Sequence, residues 1–508
     1  MPKISRRVVL STTVAAAGAA ALQPSAVAAP FQVHRSRPLL PSGVASGDVT
    51  TDSAVIWARA DRPSRMVARL RGPGRSRRTV RGPWVTPGTD HTGKIDLRHL
   101  APGRRHEIEV AFEDEEGRRG QTADLTFTTA PRGRSGQSFV WTGDTAGQGW
   151  GVNPDLGGYT AYRTMHETRP DFFVHCGDTI YADGPIEARV TEPDGQVWRN
   201  LVIPEVEERA QSLGEFRGRH RYNHLDDNLR AMYADVPVLA QWDDHETTNN
   251  WYPGEILTDP AYDREQRVDV LARWAKQAWW EWQPISNSQD RRDGQRIHRK
   301  VSRGRHLDVF CLDMRTYKDP NTAGLEGHRT SLIGDEQVRW LAAELKASKA
   351  TWKVISADLP IGIVVPDGDA QESLANRDPG APLGKEIELA WLLREIKDVP
   401  GVVWITADVH YCAAHHYSPE RAAFTDFRPF WEFVAGPINA GTFGPNEMDA
   451  TFGPRVDFVK SADYPNQSPR GGNQFFGHAG IADDGTLTVT LRDARGGVLY
   501  TRELSPER

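Results

Sequence analysis

The segment His175-Cys-Gly-Asp-Thr-Ile-Tyr181 sets a carboxylate and a phenol three residues apart, directly after the apolar run Phe172-Phe-Val174. A short apolar run that breaks into a turn reads as a buried strand delivering side chains to its end. Asp178 has two oxygens with which to bridge two cations, and Tyr181 follows closely enough to turn back onto one of them. Asp144, Asp178, Tyr181 and His410 together offer carboxylate, bridging carboxylate, phenolate and imidazole. A phenolate is a hard, strongly donating ligand that favours a trivalent ion, so Fe(III) fits this position best and Zn(II) is the poorer match. A second position draws on Asp178, Asp244 and Asp408, an all-oxygen set that suits Ca²⁺, with Mg²⁺ or Mn²⁺ as rivals. Such a pair of ions lowers the pKa of a bound water and neutralises phosphoryl oxygens as charge builds. The expected chemistry is hydrolysis of a phosphate ester by in-line attack.

Around this set stand residues without a ligand pattern of their own. His245 lies between Asp244 and Glu246, and is expected to stabilise the transferred phosphoryl group or protonate the departing oxygen; the alternatives are metal ligation or a hydrogen bond to Glu246. Asn249 or Asn250 would donate to the phosphate. Arg219 and Arg315 carry the planar fork suited to phosphate, or else pair with the acids and hold a loop. Cys176 adjoins His175 in sequence, but adjacent side chains on a strand face opposite ways, so a packed thiol is expected rather than a nucleophile.

The elements that must position these groups have a common form. Ser138-Phe-Val-Trp141, Phe172-Phe-Val174, Val236-Pro-Val-Leu239, Leu307-Asp-Val-Phe310, Trp352-Lys-Val-Ile355 and Val402-Val-Trp-Ile405 each lead to an acid or a histidine. Layered α/β proteins bind ligands where strands end, so the repetition gathers the acids at one rim. Helical stripes run through Leu271, Trp274, Ala275, Ala278, Trp279 and Trp282, through Val338, Leu341, Ala342 and Leu345 behind a capping Asp335, and over Glu386 to Ile396. The segments 366–386 and 427–473 are rich in Gly, Pro and Asp and read as long surface loops. Near the end, Gly485 to Leu491 alternates and returns through Val498 to Tyr500 as a hairpin on the catalytic sheet.

The expected class is layered α/β (α+β), a two-sheet core with helices preceded by a small β-sandwich. Alternating strands at 31–130 make the sandwich, 131–136 the linker, and 137–508 the catalytic domain. Residues 1–28 read as an export signal, with Arg6-Arg7 ahead of a weakly apolar run and a small-x-small site at Ala26-Val27-Ala28. Paired arginines there resemble a twin-arginine signal, which implies the twin-arginine machinery as a partner and a secreted product already folded at export. No later stretch has the length and apolarity of a membrane span. Over 508 residues the formal charge is −6, which argues against a nucleic-acid-binding module, and three cysteines make no disulfide scaffold. A different class of reading is an exported binding protein whose metals are structural; the repeated acids at strand ends argue against it.

Taken together, Ser42-Gly-Val-Ala-Ser-Gly-Asp48, Gly177-Asp178-Thr-Ile-Tyr181, Trp242-Asp-Asp-His-Glu246 with Asn249-Asn250, Leu312-Asp-Met-Arg315 and Ala407-Asp-Val-His410 resemble the PhoD-like alkaline phosphatases and phosphodiesterases. The resemblance spans nearly the whole chain after the signal. It implies twin-arginine export, a calcineurin-like metallophosphoesterase core, Fe(III) with Ca²⁺, and hydrolysis of phosphate mono- and diesters, some lipid head groups included. Asp178 and Tyr181 match the family's bridging aspartate and iron-bound tyrosine, and Asp408 and His410 its late ligand pair. Asp244 stands where related metallophosphatases commonly have asparagine. Some members carry an iron-bound cysteine after the first core strand, where this chain has Asp144. No extra histidine precedes Asp408, which leaves Asp358 or water to complete the ligand set of the second ion.

Overall fold

Continuous apolar runs, too short for helices, make parallel strands buried on both faces, and these strands are the centre of the molecule. The computed structural model describes residues 36–72, 77–286 and 296–507; the signal segment 1–28 lies outside the described residues. Nine strands form the larger sheet, in the order β24 (Val498–Leu504), β23 (Leu487–Asp493), β22 (Phe475–Ile481), β8 (Gln137–Thr142), β9 (Phe172–His175), β12 (Val238–Ala240), β1 (Val44–Gly47), β2 (Ser53–Arg59) and β5 (Thr92–Arg98). Strands β8, β9, β12 and β1 run parallel. The second sheet has seven strands, ordered β13 (Arg299–Ser302), β14 (Leu307–Cys311), β15 (Trp352–Ser356), β18 (Val402–Thr406), β20 (Phe430–Val434), β19 (Cys412–Tyr417) and β21 (Pro454–Lys460). Its parallel members are β14, β15, β18 and β20.

Alternation along β9 shows how one short strand serves two cores. Phe172 and Val174 point into the apolar layer between the sheets, where they meet Val309, Val354 and Ile405, whereas Phe173 points to the opposite face. That face is covered by α1 (Thr160–Glu167), α2 (Leu213–Asn223), α3 (Asp227–Asp235) and α4 (Val268–Trp282). The outer face of the second sheet carries α5 (Asp335–Ala347) and α6 (Lys385–Glu395), through Leu341, Leu345, Leu389 and Leu393. Each fully buried Phe or Leu in these layers contributes about 1.5–3 kcal/mol. Sheet on sheet between helical layers gives a rigid bed for the loops at the strand ends.

Several expectations are corrected. The protein is mixed α/β with a β-rich N-terminal region, but five sheets are present among the described residues rather than a simple two-sheet core. The third is four-stranded, β4 (Arg77–Val85), β3 (Ser64–Arg71), β6 (Arg105–Glu113) and β7 (Arg119–Thr128); the two small ones pair β10 (Arg189–Thr191) with β11 (Val197–Arg199), and β16 (Pro366–Asp367) with β17 (Ala370–Gln371). The N-terminal sandwich is not closed on itself. Its core joins Met66, Val110 and Phe127 of the four-stranded sheet to Ile56 and Ile95 of β2 and β5, which belong to the large sheet. The segment 427–473 is not all surface loop, since Phe430–Val434 is a fully buried strand inside the second sheet. Asp335 does not cap α5. Gly334 holds that position, and Asp335 in the first turn pairs with Arg329 and Arg339.

Glu386, at the start of α6, carries a pH dependence unrelated to the strand-end acids. Burial, aided by the Asp449 carboxylate, pushes it from 4.5 up to about 8. Glu386 Oε1 and Asp449 Oδ2 are both buried without a hydrogen-bond partner among the described residues. The folded chain therefore keeps a proton that the unfolded chain releases above about 4.3. Stability falls as pH rises through the window up to the folded value, by about 1.4 kcal/mol per pH unit at most. Glu386→Gln keeps the acceptor for Asn376 and Leu383, and turns an amide toward Asp449. The expected result is a higher Tm than the parent at pH 9 and little change at pH 5; a shift equal at both pH values would contradict it.

Candidate metal centre

The parallel strands of both sheets point their C-terminal ends the same way, and the acids leave from those ends. Asp144 follows β8, Asp178 follows β9, Asp243 and Asp244 follow β12, Asp358 follows β15, and Asp408 and His410 follow β18. Asp144, Asp178, Asp408 and His410 have φ of 68°, 53°, 62° and 58°, in the left-handed region that non-glycine residues rarely occupy. Four such residues at one rim mark a site whose backbone is held by its surroundings. Glu246 does much of the holding: its carboxylate accepts from the N–H groups of Asp178, Thr179 and Asp243 at 3.2, 2.6 and 2.7 Å, and from Thr179 Oγ1 at 2.6 Å. Gly177, with φ 111°, sits where a Cβ would strike Asp243.

Three overlapping sets of side chains bring possible ligand atoms within 4.8 Å of one another: Asp144, Asp178 and His410; Asp178, Asp244 and His245; and Asp243, Asp244 and Asp408. Asp178 belongs to the first two and Asp244 to the last two. Tyr181 joins the first set, with its hydroxyl 2.7 Å from His410 Nε2. His410 Nδ1–H donates to Gly441 O at 2.5 Å, so Nε2 is left as the acceptor, 3.7 Å from Asp144 Oδ1. Burial lowers His410 to about 4, which keeps the ring neutral as a ligand requires. A side chain at Gly436 would collide with Asp144 Oδ2, so the backbone there walls the carboxylate in.

Electrostatics decides whether these residues suit cations. Burial pushes Asp144 well above the usual carboxylate range, with Asp244 and Glu246 adding to it against His245. Asp178, Asp243 and Asp408 are also raised well above it, by burial first and then by neighbouring acids, although His245 or Arg315 opposes. Both oxygens of Asp144, one of Asp243 and one of Asp358 are buried without a hydrogen-bond partner among the described residues. Buried carboxylates that crowd one another and lack donors are the donor set a multivalent cation satisfies. The residues present fit metal ions.

Other candidate residues lie as follows. His245 Nδ1–H donates to Asp183 at 2.8 and 2.9 Å, and its ring stacks on Tyr181 at 4.2 Å. Burial would lower its pKa, but Asp183, Asp244 and Asp178 outweigh that and hold it well above 6.5. Asp183, not Glu246, is thus its partner. Asn250 is half-buried with φ 57°, and its N–H donates to Asp244 Oδ2 at 2.6 Å. Arg219 corrects the phosphate expectation: it is buried and gives its guanidinium to the carbonyls of Tyr181, Gly184 and Glu208, so it holds the loop after Tyr181. Arg315, fully buried, lies among Asp243, Asp358, Glu372, Asp408 and Asp244 and is likewise spent on carboxylates. Cys176 is buried against Ser356, and burial raises its thiol, which leaves it unreactive. Sequence reading passed over Asp183 and Glu372; an acid five residues after Asp178 in the same loop was the available signal for the first.

The molecule has a two-layered β core flanked by helices, with a buried, carboxylate-rich cluster suited to metal ions at its strand ends. Sequence models of the PhoD-like phosphatase family match residues 139–495, and of the PhoD-like phosphatase N-terminal domain residues 25–126. The chain belongs to the PhoD-like phosphatase family. Alkaline phosphatase D of Bacillus subtilis (strain 168) is 28% identical over 440 residues, covering 80% of this chain and 71% of that protein. The solved structure of PhoD superposes with a TM-score of 0.70 at 20% identity over 94% of each chain. A purple acid phosphatase from yellow lupin seeds, PPD1, has the same core, with a TM-score of 0.57 at 12% identity over 93% of this chain and 75% of that one. This is a phosphoric ester hydrolase of the alkaline phosphatase type, with a metal-associated centre. Among the described residues no helix is long and apolar enough to cross a membrane.

Proposed function

We propose that the protein is a secreted phosphomonoesterase working at a two-ion centre, with Asp144, Asp178, Tyr181 and His410 holding Fe(III) and Asp178, Asp244 and Asp408 holding Ca²⁺. The observation that carries this is the overlap of the three ligand sets, Asp178 linking the first to the second and Asp244 the second to the one that holds Asp408, with the unpaired Asp144 and the neutral His410 in the first. Mn²⁺ or Mg²⁺ would substitute at the second position and Zn²⁺ less well at the first. When bound, the ions supply an activated water near neutral pH and neutralise the phosphoryl oxygens. The protein's own part is to orient and to move a proton. Asp183 fixes His245 Nδ1, so Nε2 is the atom that hands a proton to the departing oxygen; burial alone would raise Asp183, but His245 and the Asn249 N–H hold its carboxyl below the usual range, so it stays anionic. Asn250, placed beside Asp244, offers its amide to the phosphate. Export by the twin-arginine route rests on Arg6-Arg7 and the segment after them.

A second reading is a phosphodiesterase or phospholipase D-like hydrolase on the same centre, with the leaving group chosen by the surrounding loops. The test is the ratio of turnover on a phosphomonoester to that on the matching diester, with enzyme exported and purified without chelator. Monoester preference supports the first reading, and diester preference replaces it with the second. Tyr181→Phe in the same preparation should abolish the visible phenolate-to-iron absorption band; a band that persists removes Tyr181 from the ligand set.

A further inference from the structure

Asn250 sits in a left-handed backbone conformation that costs most side chains energy, and asparagine less than others. Something must hold it there. Its N–H is fixed by Asp244 Oδ2, and its carbonyl is gripped from the far side by two donors, Lys318 Nζ at 3.3 Å and Asn321 Nδ2 at 2.9 Å. With both backbone groups committed, the side-chain amide is the free end, and it has no hydrogen-bond partner among the described residues. Lys318 is 2% exposed, an expensive place for an ammonium. Its other acceptor, Glu372 Oε1 at 3.4 Å, is already paired with Arg315. Lys318 thus divides its ammonium between a carboxylate that Arg315 also pairs and the Asn250 carbonyl.

We infer that Lys318 is a positioning residue for the phosphate-ester reaction, acting through the Asn250 carbonyl to aim the Asn250 amide at the phosphate. The network extends to the small β16–β17 sheet as well. Asn321 also donates to Asp367 in the β16–β17 turn, and Lys385 Nζ donates to Asn321 Oδ1 and to the carbonyls of Gln371 and Glu372. The turn that carries Asn250 is thereby locked to the small hairpin beside it. A substrate phosphate meets an amide that needs no reorganisation on binding, the condition under which a hydrogen-bond donor contributes most.

The inference rests on the reading of Asn250 as a phosphate donor, and a double-mutant cycle separates the two. Asn250→Gly keeps the left-handed backbone and removes the amide. In metal-loaded enzyme, Lys318→Met is expected to lower kcat/KM on a phosphomonoester about tenfold and to weaken inhibition by inorganic phosphate by a similar factor, in the range seen when outer-shell supports are removed. In the Asn250→Gly background the same change should cost less than about twofold. Equal losses in both backgrounds, or parental kinetics for Lys318→Met, would overturn the inference. Should Lys318→Met not fold, Asn321→Ala decides alone, since it removes the other donor to that carbonyl from a half-buried position: a smaller loss confined to the Asn250 background supports the inference, and an additive one overturns it. Parental kinetics for Asn250→Gly by itself would overturn the donor reading and this inference together.

Discussion

Asp178→Ala is expected to leave a folded chain that retains neither ion and has lost at least about a thousandfold in kcat/KM, roughly 4 kcal/mol of transition-state stabilisation. The size follows from its place. Asp178 is the carboxylate common to the Asp144–His410 and Asp244–His245 sets, so its loss damages both at once. Its Oδ1 also receives the His245 N–H at 3.2 Å, the link between the loop after β9 and the loop after β12. Asp178→Asn separates these roles, because an amide oxygen still accepts that hydrogen bond but brings no charge with which to bridge two cations. If charge and bridging matter most, the two variants are equally inactive and equally metal-poor. Without metal, moreover, Asp178→Ala should melt higher than the metal-free parent at pH 8, because one crowded buried acid has gone. Full metal content and turnover in Asp178→Ala would remove Asp178 from the centre.

The path from sequence to site was clearest where one residue type had one structural meaning. Apolar runs of three or four residues leading to acids became the parallel strands, and the acids came together because parallel strands share the end at which their loops leave. Phe430–Val434 escaped notice for the opposite reason. Its flanks, Asp426 to Pro429 on one side and Gly436-Pro437 on the other, carry loop composition, and five buried residues are too few to outweigh them in a window. The N-terminal sandwich was legible as strands but not as a partition of sheets, because β1 pairs with β12, nearly two hundred residues away, through a backbone register that no local pattern encodes. Arg219 and Asp183 show the same limit at the level of single side chains. A guanidinium near a phosphate site and a guanidinium tied to three carbonyls look alike until the loop after Tyr181 has a path. His245 could be read as a proton donor from its neighbours, but the carboxylate that makes it one comes from the Tyr181 loop rather than from Glu246 beside it.

Removing the ions should make the protein's stability depend steeply on pH, in a direction the carboxylates determine. Asp144, Asp178, Asp243 and Asp408 all have folded-state pKa values raised well above 3.8, chiefly by burial. In the metal-free chain these acids hold protons that the unfolded chain has given up. The unfolded state then binds fewer protons than the native one, and stability falls as pH rises from the ordinary carboxylate value through the raised ones. In acid the metal-free fold is relieved of its crowded charge; at alkaline pH it must carry that charge uncompensated. Bound ions reverse the trend, because they displace the protons and pair the charge, and their apparent affinity grows with pH for the same reason. Each ion held at a thousandfold over its Kd adds about 4 kcal/mol. Chelation at pH 8 is accordingly expected to lower Tm by about 10 °C or more, and chelation at pH 5 by much less. Thermal melts of loaded and chelated enzyme at both pH values measure this, and a loss on chelation that is no greater at pH 8 than at pH 5 would show that the buried acids are balanced by the protein's own cations, Arg315 and Lys318, rather than by metal.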